Sequence, residues 1–277
     1  MRQFRALSVA VTAVAAMAVA GCGMFASSEQ PPPPNGPKLT VGIKFDQPGV
    51  GLRSPSGTFH GLDVEVARYV AKELGVDPRN ITFVEARSGD REAMLEQGKV
   101  DMIAASYSIT DARKQKVDFA GPYFVAGQSL LVRRTNGDIT GPESLDYSDW
   151  KLCSVTGSTP AQKVKDSYAR NVTLEEFSSY SECLTALDMG EIDALTTDDV
   201  ILAGYAAQQP EKFKLVGKPF STERYGVGVR KGDERRAKIT EALRKMISDG
   251  SWKRIVDDSV GKSGYKIPEP PKVDENP

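Results

Sequence analysis

Four side chains that could recognise a charged ligand, Ser106, Ser108, Thr110 and Arg113, lie just beyond an apolar run of strand length, Val100 to Ala105. Thr110-Asp111-Ala112-Arg113 reads as a cap and the first turn of a helix that carries an arginine. A helix N-terminus already bears partial positive charge, so a guanidinium in that turn is mildly destabilising unless an anion sits beside it. Asp111 or Asp118 would satisfy it as an ordinary surface pair; a bound carboxylate is the other reading. A repeat weighs toward the second. Leu95-Glu96-Gln97-Gly98-Lys99-Val100-Asp101 is matched by Leu187-Asp188-Met189-Gly190-Glu191-Ile192-Asp193, each a helix end, a glycine stop and a strand start. Counting on from the paired aspartates, Asp198 takes the place of Ser106. Ligands in open α/β sheets bind beyond the carboxyl ends of strands, so two such units facing each other set Ser106, Ser108 and Arg113 against Asp198. A cation opposite an anion suits a zwitterion.

Two further groups bear on the same chemistry. Thr156-Gly157-Ser158-Thr159-Pro160 follows a strand, Trp150 to Val155, with a tight glycine turn, hydroxyls that can cap and a proline suited to the first helical position. Such a helix N-terminus can take an anion on its backbone N–H groups; a plain strand-to-helix turn is the alternative. Lys44, Arg53 and Arg87 occupy the loops after the first two strands, three bases with no obviously placed acid. They read as a pocket for an acidic side chain, or else as solvated surface residues.

The elements that must hold these groups follow an α/β pattern. Leu39 to Ile43 and Ile81 to Val84 are strands; Asp63 caps a helix with Val66, Ala67, Val70 and Leu74 inward, and Gly75 stops it. Arg91 to Gln97 is a short helix before the Val100 strand. Ser129 to Arg133 and Phe213 to Val216 are strands of the second unit, and Tyr225 to Val229 returns to the first. Two amphipathic helices, Glu234 to Ser248 and Trp252 to Ser259, complete it, and Ile267 to Pro277 reads as a loose tail.

With 277 residues the chain suits two modest cores better than one. Its 36 basic and 37 acidic residues are interspersed, which gives no sign of nucleic-acid binding. The N-terminus is a targeting segment: Arg2 and Arg5, an apolar stretch from Leu7 to Ala20, then Val19-Ala20-Gly21-Cys22. It resembles a lipoprotein signal cleaved before an acylated Cys22; an ordinary secretory signal is the alternative. Ser27 to Pro37 is a proline-rich tether, extended at about 3.1 Å per residue. No later segment is apolar enough to span a bilayer. Cys153 and Cys183 then lie in an oxidising compartment, one on a strand and one on a helix; a disulfide is expected, with two buried thiols as the alternative. No metal or other cofactor is expected, since the cysteine spacing is wrong for zinc and the only histidine, His60, lies in a loop.

Gly61-Leu62-Asp63-Val64-Glu65-Val66-Ala67, Val100-Asp101-Met102-Ile103, Ser108-Ile109-Thr110-Asp111-Ala112-Arg113-Lys114, Val117-Asp118-Phe119 with Pro122-Tyr123, and Asp193-Ala194 to Asp198 together resemble the polar amino-acid-binding proteins of ABC importers, over roughly Lys38 to Ser259. Within them the chain is most similar to glutamate/glutamine-binding lipoproteins of high-GC Gram-positive bacteria. The resemblance implies a type II periplasmic-binding-like fold, two α/β lobes joined by two crossover strands. Lobe one is expected at 38–122 and 226–266, lobe two at 128–219, the hinge at 123–127 and 220–225, with a signal at 1–21 and the tether at 22–37. It assigns Arg113 to the ligand's α-carboxylate, shared with Ser108 and Gly157-Ser158-Thr159, and Asp198 to the α-ammonium, helped by the carbonyl of Ser106. Lys44 stands where an aspartate would suit a glutamine amide, which points to an acidic side chain, with Arg87 and Arg53 nearby. The implied partners are a glutamate-like amino acid, a membrane permease and the membrane itself through the lipid; a monomer is expected. A sensor module signalling through a kinase and an enzyme of the same fold are the other readings, the enzyme needing an acid or base that Lys44 alone would supply without a paired carboxylate or histidine.

Overall fold

In a computed structural model the described residues are 35–167, 172–274 and 277. The signal, Cys22 and most of the tether lie outside them. The first lobe opens with β1 (Leu39–Ile43), a small sheet of β2 (Asp46–Gln47), β3 (Gly51–Arg53) and β4 (Phe59–His60), and then α1 (Leu62–Glu73). It continues through β5 (Ile81–Glu85), α2 (Arg91–Glu96), β6 (Met102–Ile103), α3 (Asp111–Lys114) and β7 (Val117–Ala126). The second lobe comprises β8 (Gln128–Arg133), β9 (Lys151–Val155), α4 (Thr159–Ser167), β10 (Thr173–Phe177), α5 (Tyr180–Met189), β11 (Ala194–Asp198), α6 (Asp199–Gln208) and β12 (Phe213–Val216). β13 (Glu223–Arg230), α7 (Arg235–Ser248) and α8 (Ser251–Asp258) return to the first.

Each lobe is built on a five-stranded sheet, in the orders β5-β1-β6-β13-β7 and β10-β9-β11-β8-β12. The first three strands of each are parallel and the last two antiparallel to their neighbours. The aspartate of the repeat does the same work twice. Asp101 donates its N–H to Thr40 O and accepts Thr40 N–H on its carboxylate, both at 2.8 Å. Asp193 donates to Lys151 O at 2.8 Å and accepts Lys151 N–H at 2.9 Å. A side chain thus closes the ladder where a strand enters its sheet, which explains why glycine, a branched residue and aspartate recur together.

Several elements differ from expectation. The strand expected from Val100 to Ala105 pairs only at Met102–Ile103, because Ala105 gives its carbonyl to Arg91 and Ser106 turns to a φ of 44°. Asp63 does not cap α1: Gly61 occupies that position, and the buried Asp63 carboxylate instead accepts Ser106 N–H and Tyr123 O–H. The tail is not loose. Val273 is buried, Asp274 N–H donates to Gly121 O at 2.9 Å, and Asp274 pairs with Arg224. β7 and β13 form an antiparallel ladder from Glu223 opposite Ala126 to Arg230 opposite Val117, with a register shift between Tyr225 and Val227, and it takes in 123–126 and 223–225 of the expected crossover stretches.

Cys153 of β9 and Cys183 of α5 are bridged across a sequence separation of 30. Closing a loop of that size removes denatured-state entropy equivalent to about 3–4 kcal/mol. Reductant is therefore expected to lower the stability of the protein by that order in a denaturant titration. A midpoint that does not move with reductant, with both thiols alkylated, would exclude a stabilising bridge. Among the described residues no helix is long and apolar enough to cross a membrane, and no cluster of three His, Cys, Asp or Glu could hold a metal.

Candidate functional site

The site lies between the ends of β1 and β6 in one lobe and of β9 and β11 in the other. Lys44 follows β1 and is buried, its Nζ donating to Ser88 Oγ at 2.9 Å. Burial, with Arg91 adding repulsion, lowers its ammonium to about 7. Arg91 begins α2 and is also buried. Its Nη1 donates to the carbonyls of Ala105 (2.9 Å) and Ser106 (3.4 Å), Nε donates to Ser88 O, and the guanidinium stands 4.3 Å above the Tyr107 ring. Nη2 has no hydrogen-bond partner, and no carboxylate pairs with Arg91, among the described residues.

Ser106 is the only residue other than glycine with positive φ among the described residues. The Asp63 carboxylate on its N–H and Gln47 Oε1 on its hydroxyl, at 2.8 and 2.5 Å, hold this conformation. Asp198 ends β11 from the other lobe. Its Oδ2 accepts the hydroxyl of Tyr225, while Oδ1 is buried with no hydrogen-bond partner among the described residues. It stands at the cap of α6 yet makes no capping bond. Burial, and then the neighbouring Glu223, push its carboxyl well above the usual range. Lys44, Arg91, Ser88, Ser106, Ser158, Thr159 and Asp198 all line one cavity, narrowed to about 10 Å³.

The head of α4 closes the site from lobe two. Ser158 Oγ accepts Ala161 N–H, and Thr159 donates its hydroxyl to Glu223 and approaches Ser108 Oγ at 3.4 Å. Gly157 has a φ of 74°, and a Cβ there would lie 2.7 Å from Gly89 Cα, so the two lobes meet backbone to backbone.

The sequence-predicted residues do not all meet in one place. Lys44, Ser106, Ser158, Thr159 and Asp198 share the cavity. Ser108 and Gly157 lie at its edge, joined through Arg113, whose Nη1 and Nη2 donate to Ser108 O (2.8 Å) and Gly157 O (3.1 Å) while Nε faces Glu92 at 3.2 Å. Arg113 is buried but does not line the cavity itself; it occupies an adjoining recess with Ser88, Glu92 and Gly157. Arg53 and Arg87 are exposed and outside the cavity, the first over the Phe45 ring and the second beside Glu85. Arg53, at the end of β3, and Arg87, in the loop after β5, face solvent, where hydration costs nothing. Sequence reasoning missed Arg91, Ser88 and Gln47. Arg91 carried the signal already used for Arg113, a cation in the first turn of a helix, where the backbone repels it.

Two lobes on paired strands, with buried cations facing a buried carboxylate across the cleft, define a clamp for a small charged solute. The chain belongs to the bacterial extracellular solute-binding proteins, family 3, which it matches over residues 39–262. It is 44% identical over 259 residues to the glutamate-binding protein GluB of Corynebacterium efficiens, covering 90% of this chain and 85% of the relative. Identity to the ABC transporter glutamine-binding protein GlnH of Bacillus subtilis is 41% over 220 residues, 79% of each. Among solved structures, an ancestral arginine-binding protein bound to arginine superposes with a TM-score of 0.75 at 35% identity, covering 80% of this chain and 97% of that one. The fold is thus the type II two-lobed binding fold, and the protein is an extracellular solute-binding protein rather than an enzyme, similar to amino-acid-binding proteins.

Proposed function

We propose that the protein captures L-glutamate outside the cytoplasmic membrane, held there by a lipid on Cys22, and delivers it to an ABC permease. The carrying observation is the charge of one cavity: two buried cations, Lys44 and Arg91, and one buried carboxylate with a partnerless oxygen, Asp198. Glutamate presents the complement, two carboxylates and one ammonium. In this reading Asp198 Oδ1 and the Ser106 carbonyl take the α-ammonium. The Ser158–Thr159 turn takes the α-carboxylate, with Ser108 at its edge, and Arg113 exchanges the Gly157 carbonyl for a ligand oxygen. Lys44, Arg91 and Ser88 take the side chain; Arg53 and Arg87 have no part. The name of the relative GluB supports the same ligand.

A calorimetric panel of amino acids tests this, and its pH dependence adds a second criterion. Glutamate is expected to bind at least about tenfold tighter than glutamine, because an amide leaves a buried cation unpaired. Aspartate, one methylene short, falls between. In the free protein Lys44 titrates at about 7; a carboxylate beside it raises that value, so binding takes up a proton. Through Lys44, glutamate affinity should fall by up to about tenfold per unit as pH rises above 7, until the pKa of the complex is reached. Glutamine should follow this weakly. Equal or tighter binding of glutamine at pH 6 would overturn the assignment to an acidic ligand.

A further inference from the structure

We infer that Asp46-Gln47-Pro48 is the latch that couples a filled cavity to lobe closure, with Asp46 as a positioning residue that never meets the ligand. The inference rests on the amino-acid-binding reading for its affinity arm alone. Asp46 lies on β2, in the small sheet of lobe one, and its bonds run to lobe two. Its Oδ2 accepts the N–H of Ser181, in the first turn of α5, at 3.2 Å, and its carbonyl accepts the hydroxyl of Tyr205, on α6, at 2.7 Å. The carboxylate therefore sits at the positive end of a ten-residue helix belonging to the opposite lobe. Two residues on, the Pro48 carbonyl presses into α6 where Gly204 leaves room: a Cβ on Gly204 would lie 2.1 Å from that oxygen. Between the two, Gln47 points the other way, into the cavity, accepting the Ser106 hydroxyl.

One short segment thus touches the ligand site with its middle residue and the other lobe with its outer two. Opening about the hinge separates Asp46 from Ser181 and Tyr205, and closing restores the contacts. They act on the closed state only, which is the condition for a contact to shift an open–closed balance. Asp46 is outside the cavity, so through closure its loss should weaken every ligand by one factor; its charge also supports the Lys44 ammonium, so glutamate should lose somewhat more than glutamine.

Asp46→Ala is expected to weaken glutamine by about tenfold, the worth of a charged hydrogen bond and a helix-end interaction together, and glutamate by at least as much. The loss should appear in the dissociation rate, with the association rate within about twofold of the parent. Tyr205→Phe, which removes one hydroxyl, should give a smaller change of the same kind. Gly204→Ala should cost more than Asp46→Ala, because it obstructs closure outright. Nitroxide labels on the two lobes report the open fraction without ligand, so this arm stands even if the panel identifies no amino acid: Asp46→Ala should open the empty protein relative to the parent. Unchanged affinity and an unchanged inter-lobe distance in Asp46→Ala, or a loss confined to glutamate, would overturn the latch.

Discussion

Replacing Asp198 by Asn is expected to weaken every amino-acid ligand by more than about a hundredfold while leaving the empty protein at least as stable as the parent. The Asp198 carboxylate is buried with one oxygen bound by Tyr225 and the other unpaired. An α-ammonium brought to Oδ1 would pair a charge that burial leaves uncompensated. Removing one partner of such a pair costs on the order of 3–5 kcal/mol, because the other stays buried and alone. Asn keeps the shape and an oxygen for the Tyr225 hydroxyl, so the packing at the end of β11 should survive. A residue that merely capped α6 would behave otherwise, since Asn caps nearly as well as Asp; the absence of a side-chain capping bond already argues against that role.

Stability and affinity should therefore move apart in this variant. Burial raises the Asp198 carboxyl well above its usual range. A carboxyl whose folded pKa exceeds its unfolded one binds more protons when folded, so stability falls as pH climbs from the unfolded value through the folded one. Asn carries no such charge. The melting temperature of the empty Asn variant should gain on the parent as pH rises above the ordinary carboxylate range. A variant that binds glutamate within about fivefold of the parent would remove Asp198 from the site.

The lobes were legible because their construction is local and repeated. Gly98 with Asp101 and Gly190 with Asp193 announce a helix end and a strand entry within a few residues, and both aspartates make the same pair of backbone bonds. Thr110 and Arg113 were legible for a similar reason, a cap and a misplaced charge in one turn; the cap is present, with Arg113 N–H donating to Thr110 Oγ1 at 3.2 Å. What could not be read depends on contacts across long separations. Asp63 looks like a cap in its own neighbourhood, yet its carboxylate is used by Ser106 and by Tyr123 of β7. Arg87 and Arg91 are equally basic in sequence, and only the turn of the chain between β5 and α2 decides which side chain faces inward. The tail was illegible because its anchor is Gly121, which offers a carbonyl and no side-chain signal.

That turn makes Arg91 the residue on which the choice of ligand should depend. Arg91→Met is expected to weaken glutamate by about a hundredfold or more and glutamine by less than about tenfold, so that glutamine becomes the equal or better ligand. The buried guanidinium has no carboxylate partner among the described residues, and desolvation lowers its pKa to about 10. A γ-carboxylate beside Nη2 would supply the missing charge, and a charged pair of that kind, once broken, costs on the order of 3–5 kcal/mol. Arg91 also braces the turn at Ser106 through two carbonyls. If bracing were its whole role, Met would weaken glutamate and glutamine by the same factor, because both need the Ser106 turn for their α-ammonium. Arg91→Lys separates the two contributions further. It keeps the charge but not the fork that holds Ala105 and Ser106 while facing the cavity, so it should recover part of the glutamate preference without the full affinity. A glutamate-to-glutamine ratio in Arg91→Met within about twofold of the parent's would assign the side-chain carboxylate to Lys44 alone.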